Sequence, residues 1–216
     1  FGVKDIVKLA SNENPLGPSP KAVSAMTNVL DKVNLYPDGS CYHLKKSLAS
    51  HLKVQEDQVI IGNGSDEIIH YIGITFLSQG DQVIQADPSF VRYESAACLS
   101  DCECVMVPLK DYVHDLDAIA DRITDKTRLI FIANPNNPTG TAVNAQEVER
   151  FISRLPERVI AVFDEAYYEY VEMPDFPAML QYVRDGANVI VLRTFSKIYG
   201  LAGLRVGYGI ARPEII

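Results

Sequence analysis

The sequence predicts an α/β protein, a three-layer α/β/α large domain built on a mostly parallel sheet. Three observations lead there. Short apolar runs alternate with stretches of helical spacing along most of the 216 residues. Runs such as Leu129-Ile130-Phe131-Ile132 and Val189-Ile190-Val191-Leu192 are apolar throughout, as strands buried on both faces are. Four strand ends then carry unusual polar sequence: 62–67, 134–140, 164–168 and 194–197. In sheets of this kind ligands bind beyond the carboxyl ends of the strands, so four such ends point to one site.

Taken in order, residues 4–9 read as a short extended arm, and 10–20 is rich in turn formers. Ser19 before Pro20 is a helix start, a hydroxyl cap with proline at the first helical position. Ala22, Val23, Met26, Val29, Leu30 and Val33 continue at helical spacing. Tyr36-Pro37-Asp38-Gly39 is a turn, and a helix over 43–52 places Leu44, Leu48 and Leu52 on one face. Strands are predicted at 59–61, 82–85, 103–107, 129–132, 159–163 and 189–192. Helices are predicted from 65 through Phe76, then at 90–99, 116–123, 148–155 and 179–183. Asn134-Pro135-Asn136-Asn137-Pro138-Thr139-Gly140 is too rich in Pro and Asn to be regular.

The net charge is −8 and 47% of residues are hydrophobic, enough for one sizeable core. No basic run interleaves with aromatics, which argues against nucleic acid and anionic membrane as partners. No apolar run approaches a membrane span. Cys98, Cys102 and Cys104 crowd together, but no histidine or fourth thiol stands at metal-site spacing. They and Cys41 read as free thiols of a cytoplasmic protein, and no metal is expected. His43, His51, His70 and His114 show no pairing pattern. Both ends read as those of a fragment, for there is no initiator Met and no polar tail.

Lys197 is the centre of the chemistry. It follows a buried strand and two hydroxyl residues, Thr194 and Ser196, and Arg205 stands eight residues on. A desolvated lysine is suited to Schiff-base chemistry; by itself it is also an ordinary surface residue. Gly62-Asn63-Gly64-Ser65-Asp66-Glu67 opens a helix and offers backbone N–H groups to an anion, although a plain helix cap explains it as well. Its likeness to a dinucleotide fingerprint is partial, because Glu67 stands where a third glycine belongs. Asp164 ends an apolar strand, either as a solvated terminus or as a partner for a cationic ring nitrogen. Glu165 points the other way by strand alternation. Phe90 and Tyr93 are core aromatics or a face for a flat ligand. Asn137 is a turn residue or a donor to a phenolate-like oxygen. Together these groups fit pyridoxal 5'-phosphate.

The same residues carry a resemblance. Ser11-Asn12-Glu13-Asn14-Pro15, Tyr36-Pro37, the 62–67 and 134–140 segments, Asp164-Glu165-Ala166-Tyr167, and Ser196-Lys197 with Arg205 resemble the fold-type I aminotransferases of the class II group. Within them the match is to the histidinol-phosphate aminotransferase subfamily, over almost the whole chain. The resemblance implies a division into an N-terminal arm and first helix, 1–35, and a pyridoxal-phosphate-binding large domain, 36–216. It implies that the C-terminal small domain, with the arginine that grips the substrate carboxylate, is missing, so that this segment alone transaminates poorly.

By resemblance, Lys197 forms the Schiff base and moves the proton, and Asp164 pairs with the pyridine nitrogen. Asn137 and Tyr167 contact the phenolic oxygen, and Phe90 stacks on the ring where many relatives carry tyrosine. Gly64, Ser65 and Asp66 hold the phosphate, with Thr194, Ser196 and Arg205 closing the cup. Tyr36 reaches the phosphate of a neighbouring subunit, which implies a homodimer. Asn14 and Leu16 lie in the arm that covers the substrate, and Asn137 also faces it. The implied reaction moves an amino group between histidinol phosphate and a keto acceptor, 2-oxoglutarate, in histidine biosynthesis. Rival readings are an aromatic or broad-specificity aminotransferase, a threonine-phosphate decarboxylase and a non-catalytic cofactor-binding fragment. A nicotinamide-linked dehydrogenase explains the glycine loop but leaves Lys197, Asp164 and Arg205 idle.

Overall fold

The computed structural model describes residues 7–216, so the first half of the expected arm at 4–9 lies outside the described residues. One seven-stranded sheet runs through the chain. Its strands are β1 (Val59–Asn63), β2 (Gln82–Asp87), β3 (Glu103–Pro108), β4 (Thr127–Ala133), β5 (Ile160–Asp164), β6 (Val189–Thr194) and β7 (Val206–Ile210). The order across the sheet is β1-β7-β6-β5-β4-β2-β3. Pairs β2/β3, β2/β4, β4/β5 and β5/β6 are parallel. Strand β7 runs antiparallel to both its neighbours, β1 and β6.

Side-chain alternation builds the three layers. On one face Ile130, Ile132, Phe163, Val189 and Val191 join a core with Leu48, Leu52, Ile119, Phe151 and Met179. These last come from α2 (Tyr42–Leu52), α5 (Leu116–Asp121), α6 (Ala145–Ile152) and α7 (Met179–Arg184). On the other face Leu129, Phe131, Val162, Ile190 and Leu192 pack with Ile68, Ile69, Ile72 and Tyr93. Those belong to α3 (Ser65–Phe76) and α4 (Arg92–Leu99). Adjacent residues of one strand thus feed opposite cores, which is why the central strands are apolar throughout.

Three elements depart from the sequence expectation. Helix α1 (Pro20–Thr27) starts as expected, with the Ser19 hydroxyl accepting from Ala22 N–H at 3.2 Å, but stops at Asn28. Only a short 3-10 turn, Leu30–Lys32, follows. Val23, Val29, Leu30 and Val33 are exposed, so the helical spacing there has no core to bury against among the described residues. Helix α6 starts before 148, because Asn144 and Glu147 form a capping box. Strand β7 went unpredicted, since Gly207 and Gly209 interrupt its apolar run. These glycines serve close approach. A Cβ on Gly207 would strike the Ser65 nitrogen, so β7 lies directly under the start of α3.

The reversal of β7 matters for position. Its first residue, not its last, lies beside the carboxyl ends of its neighbours, with Val206 opposite Asn63 and Gly207 opposite Thr194. Arg205, just before β7, is thereby delivered to the same sheet edge as Lys197.

Candidate functional site

A cavity of about 670 Å3 opens at that edge. Gly64, Ser65 and Asp66 reach it from the end of β1, Asn137 from the loop after β4, and Asp164 and Tyr167 from β5. Thr194, Ser196 and Lys197 come from β6, Arg205 from the start of β7, and Phe90 from the turn before α4. These six segments, distant in sequence, meet because parallel strands present their carboxyl ends together and the antiparallel β7 adds its start at the same edge.

One end of the cavity is built for an anion. Helix α3 begins there, and its first-turn N–H groups lack helical partners. Gly64 has φ 78°, a conformation that favours glycine, and a Cβ on it would sit 2.5 Å from Arg205 Nη2. The guanidinium lies 3.8 Å from Asp66 Oδ2, and its Nη1 donates to Ala202 O at 3.1 Å. Thr194 Oγ1 donates to Ser196 Oγ at 3.0 Å and accepts from Ser196 N–H at 3.1 Å, so both hydroxyls are held at the cavity wall. A helix start, a guanidinium and two hydroxyls are suited to a phosphate group.

The floor carries a buried carboxylate. Asp164 is 4% exposed, and burial pushes its carboxyl up to about 6. Tyr93 O–H, donating to Oδ2 at 2.9 Å, and Ala166 N–H, donating to Oδ1 at 3.1 Å, work against that rise. Tyr93 is fully buried, and burial followed by the Asp164 charge raises its own phenol well above the usual range. Its ring stacks on Phe131 at 4.8 Å between centroids and meets Phe90 edge-on at 5.6 Å. The aromatic group thus has two parts. Both reach the cavity, and Tyr93 in addition meets the Phe90 ring edge-on and hydrogen-bonds Asp164. From the sequence, Tyr93 reads only as an aromatic. The signal for its second role is that a buried tyrosine hydroxyl needs a partner.

Residues 10–17 form a strap over the cavity. Lys197 Nζ donates to the backbone oxygens of Ser11 at 3.1 Å and Asn12 at 3.4 Å, and lies 5.5 Å from the Tyr167 ring centroid. Asn12 Nδ2 donates to the Tyr167 hydroxyl at 2.9 Å. Ser11, Asn12 and Glu13 therefore line the cavity, although none had been singled out as a site residue. Asn14 and Leu16 do not line it. Asn14 Nδ2 donates to Ile198 O at 2.8 Å and fastens the strap to the lysine loop, while Leu16 is exposed. Behind Leu16 the strap touches the loop closely, and a Cβ on Gly200 would collide with the Gly17 carbonyl. Tyr36 is fully exposed and away from the cavity. Cys41, Cys98, Cys102 and Cys104 are free thiols outside it, and no described helix is long and apolar enough to cross a membrane.

The family description "Aminotransferase class I and II" matches residues 4–216. A histidinol-phosphate aminotransferase from Moorella thermoacetica is 55% identical over the whole of this chain, which spans 56% of that relative. One from Brevibacillus brevis is 48% identical, again over the whole chain and 59% of the relative. Among solved structures, histidinol-phosphate aminotransferase from Sinorhizobium meliloti in complex with pyridoxal-5'-phosphate superposes with a TM-score of 0.90 at 31% identity. That match covers 95% of this chain and 56% of the other. The chain is therefore a little over half the length of the proteins it matches.

Proposed function

The chain belongs to the aminotransferase class I and II family, and from that premise we propose that it carries the cofactor-holding part of a pyridoxal-phosphate-dependent transaminase. The substrate pair is histidinol phosphate with 2-oxoglutarate, giving imidazole-acetol phosphate and glutamate. The reading rests above all on one juxtaposition. An amine, Lys197, and a buried carboxylate, Asp164, share a cavity whose far end is a phosphate cup. The names of the relatives at 55% and 48% identity support the choice of substrate.

The residues fit the cofactor. The Gly64 cradle leaves room for a phosphate where a side chain would meet Arg205. Asp164, short of a cation in the buried floor, suits a protonated ring nitrogen. Bound there, pyridoxal phosphate supplies an aldehyde that traps an amino group and a ring that withdraws electrons from the neighbouring carbon. Lys197 is the amine that links to it and the base that takes and returns the proton at the substrate's α-carbon. Asp164 keeps the ring nitrogen protonated. Tyr167 and Asn137 donate to the phenolic oxygen, and Phe90 covers one ring face. Gly64, Ser65, Asp66, Thr194, Ser196 and Arg205 hold the phosphate, with Arg205 as the charge. To reach the cofactor, Lys197 Nζ leaves the Ser11 and Asn12 carbonyls.

The wider assembly is proposed on the same footing. The enzyme is a cytoplasmic homodimer in which Tyr36, exposed on the single chain, reaches the partner's phosphate. Asn14 and Leu16 belong to the substrate cover. Residues 1–35 form an arm distinct from the large domain at 36–216, supported by the absence of buried residues in α1.

Full-length protein mixed with pyridoxal phosphate is expected to turn yellow, and borohydride to fix the cofactor on Lys197. Histidinol phosphate is expected to outrun aromatic amino acids as donor, with no carbon dioxide released. Lys197→Ala lowers turnover by at least about a thousandfold. A colourless protein whose Lys197→Ala variant matches the parent overturns the reading. Faster turnover of phenylalanine, or carbon dioxide release, moves the substrate to the aromatic or decarboxylase alternatives.

A further inference from the structure

Directly behind the cavity floor lies a buried ion pair that the chemistry above does not use. Arg193 donates to Glu165 Oε2 through Nε at 2.8 Å and Nη2 at 2.7 Å. The two side chains are 8% and 1% exposed. Both guanidinium nitrogens converge on one oxygen, and Glu165 Oε1 has no partner among the described residues. The guanidinium also lies flat against Tyr168, its central carbon 3.6 Å from the ring centroid. On its β7 side, Arg193 stands opposite Tyr208 in the strand register.

Each member of this group is the chain neighbour of a residue in the cavity wall. Glu165 follows Asp164, Tyr168 follows Tyr167, and Arg193 precedes Thr194. Strand alternation turns the neighbours to opposite sides, so the wall residues face the cavity while their partners lock together behind it. The pairing of β5 with β6 ends at Asp164 opposite Leu192. Past that point the strand ends are joined by the Glu165 N–H bond to Leu192 O at 2.8 Å, by the Arg193–Glu165 pair, and by Arg193 against Tyr168. A turn closed by Tyr168 N–H on Glu165 O at 3.0 Å then carries Tyr167 back over the floor.

We infer that Glu165, Arg193 and Tyr168 form a positioning clamp that sets Asp164, Tyr167 and Thr194 for the cofactor. A plain hydrophobic contact at this place would hold the strands together as firmly. The ion pair adds direction. The guanidinium plane is oriented by Glu165 on its edge and Tyr168 on its face, and this defines the angle between the two strand ends. Asp164 and Tyr167 line the same cavity and would serve two different atoms of the ring, so a small change in that angle moves both at once. Glu165, Arg193 and Tyr168 are positioning residues; none touches the cavity.

The inference rests on the proposed cofactor reading, and the test separates the two. The measurement is the pH midpoint of the visible absorbance of the Lys197-linked cofactor in full-length protein. Asp164, by holding the ring-nitrogen proton, and Tyr167, by donating to the phenolic oxygen, would both lower that midpoint. Loosening either raises the midpoint. Glu165→Gln and Tyr168→Leu are expected to raise it by on the order of one pH unit. Tyr168→Phe keeps the aromatic face and is expected to leave the midpoint at the parent value. Tyr168 is 38% exposed, so Tyr168→Leu remains informative where Glu165→Gln fails to fold. Variants with lowered melting temperature but parental midpoints overturn the clamp, for they reveal support without positioning. A parent that develops no borohydride-fixable visible band overturns the cofactor assignment itself, and the clamp with it.

Discussion

The floor of the cavity and its rim are built in different ways. The floor is the carboxyl edge of β4, β5 and β6, where Asp164, Glu165, Arg193 and Thr194 are all buried. Each of these is held by at least one hydrogen bond or ion pair and lies on, or directly after, a strand paired on both sides. The rim is the strap and the chain that follows it. Nothing from residue 7 to 47 is buried, and Leu9, Leu16, Val33, Leu35 and Tyr36 stand in solvent. The rim reaches the floor through a few polar contacts, chiefly Asn12 to Tyr167, Asn14 to Ile198 O, and Lys197 to the carbonyls of 11 and 12. Groups that need fixed geometry sit where packing enforces it. Groups that must admit a ligand sit where little apolar burial opposes movement.

The largest effect that sharpens this contrast is expected at Asp164. In the full-length protein, replacing it with Asn is expected to lower the proposed transaminase turnover by roughly a hundredfold or more, measured under saturating cofactor. The same change stabilises the cofactor-free protein. The carboxyl ionises near 6 in the fold and near 3.8 when unfolded. Its contribution to stability is full below 3.8, declines between the two values and is lost above 6. At pH 7 the buried charge costs on the order of 3 kcal/mol. The urea midpoint of Asp164→Asn therefore exceeds the parent's at pH 7, and the two coincide below pH 3.8. Equal midpoints at pH 7 would break the claim that the floor is strained for its ligand.

Next in size is Gly64→Ala. The added methyl meets Arg205 Nη2, and the positive φ resists it. Affinity for pyridoxal phosphate, followed by absorbance titration, is expected to fall by about tenfold to a hundredfold. The smallest effect belongs to the rim. Val33→Ser changes the stability of the chain by less than about 0.5 kcal/mol in urea unfolding, because Val33 is 77% exposed. A larger loss would show that the rim is packed as the floor is.

The same contrast explains what the sequence disclosed. The central strands were legible because burial on both faces leaves runs such as Leu129-Ile130-Phe131-Ile132 with no polar interruption. The polar residues that end those runs were legible for the same reason. Asp164, Gly64 and Lys197 emerge where an apolar run stops, and Arg205 by its spacing of eight residues from Lys197. Strand β7 was not legible, because Gly207 answers to the backbone of residues 64 and 65 and Gly209 to the side chains of Ile60, Ile68 and Leu192, which leaves no apolar period. The second role of Tyr93 required knowing that α4 turns it under Asp164. The strap contacts of Ser11 and Asn12 with Lys197 are made by backbone oxygens, which carry no side-chain signature. The apolar spacing at 22–33 misled for the opposite reason, since it has a helical period but no surface here on which to spend it.

Strand β7 has a kinetic consequence. Val59 pairs with Ile210, so the anion cup joins a segment from early in the described chain to one from its end. Contacts that distant form only after a long loop has closed, and they are slow to nucleate. The local pieces, such as α3 and the hairpin of β6 and β7, have no such delay. The cup is therefore complete only once the most distant pairing in the sheet is made. A phosphate ligand that needs both Ser65 and Arg205 binds finished molecules and leaves partly folded ones behind, drawing the population toward the native state by mass action. A ligand held in the proposed cup would thereby favour the finished fold over its partly folded precursors.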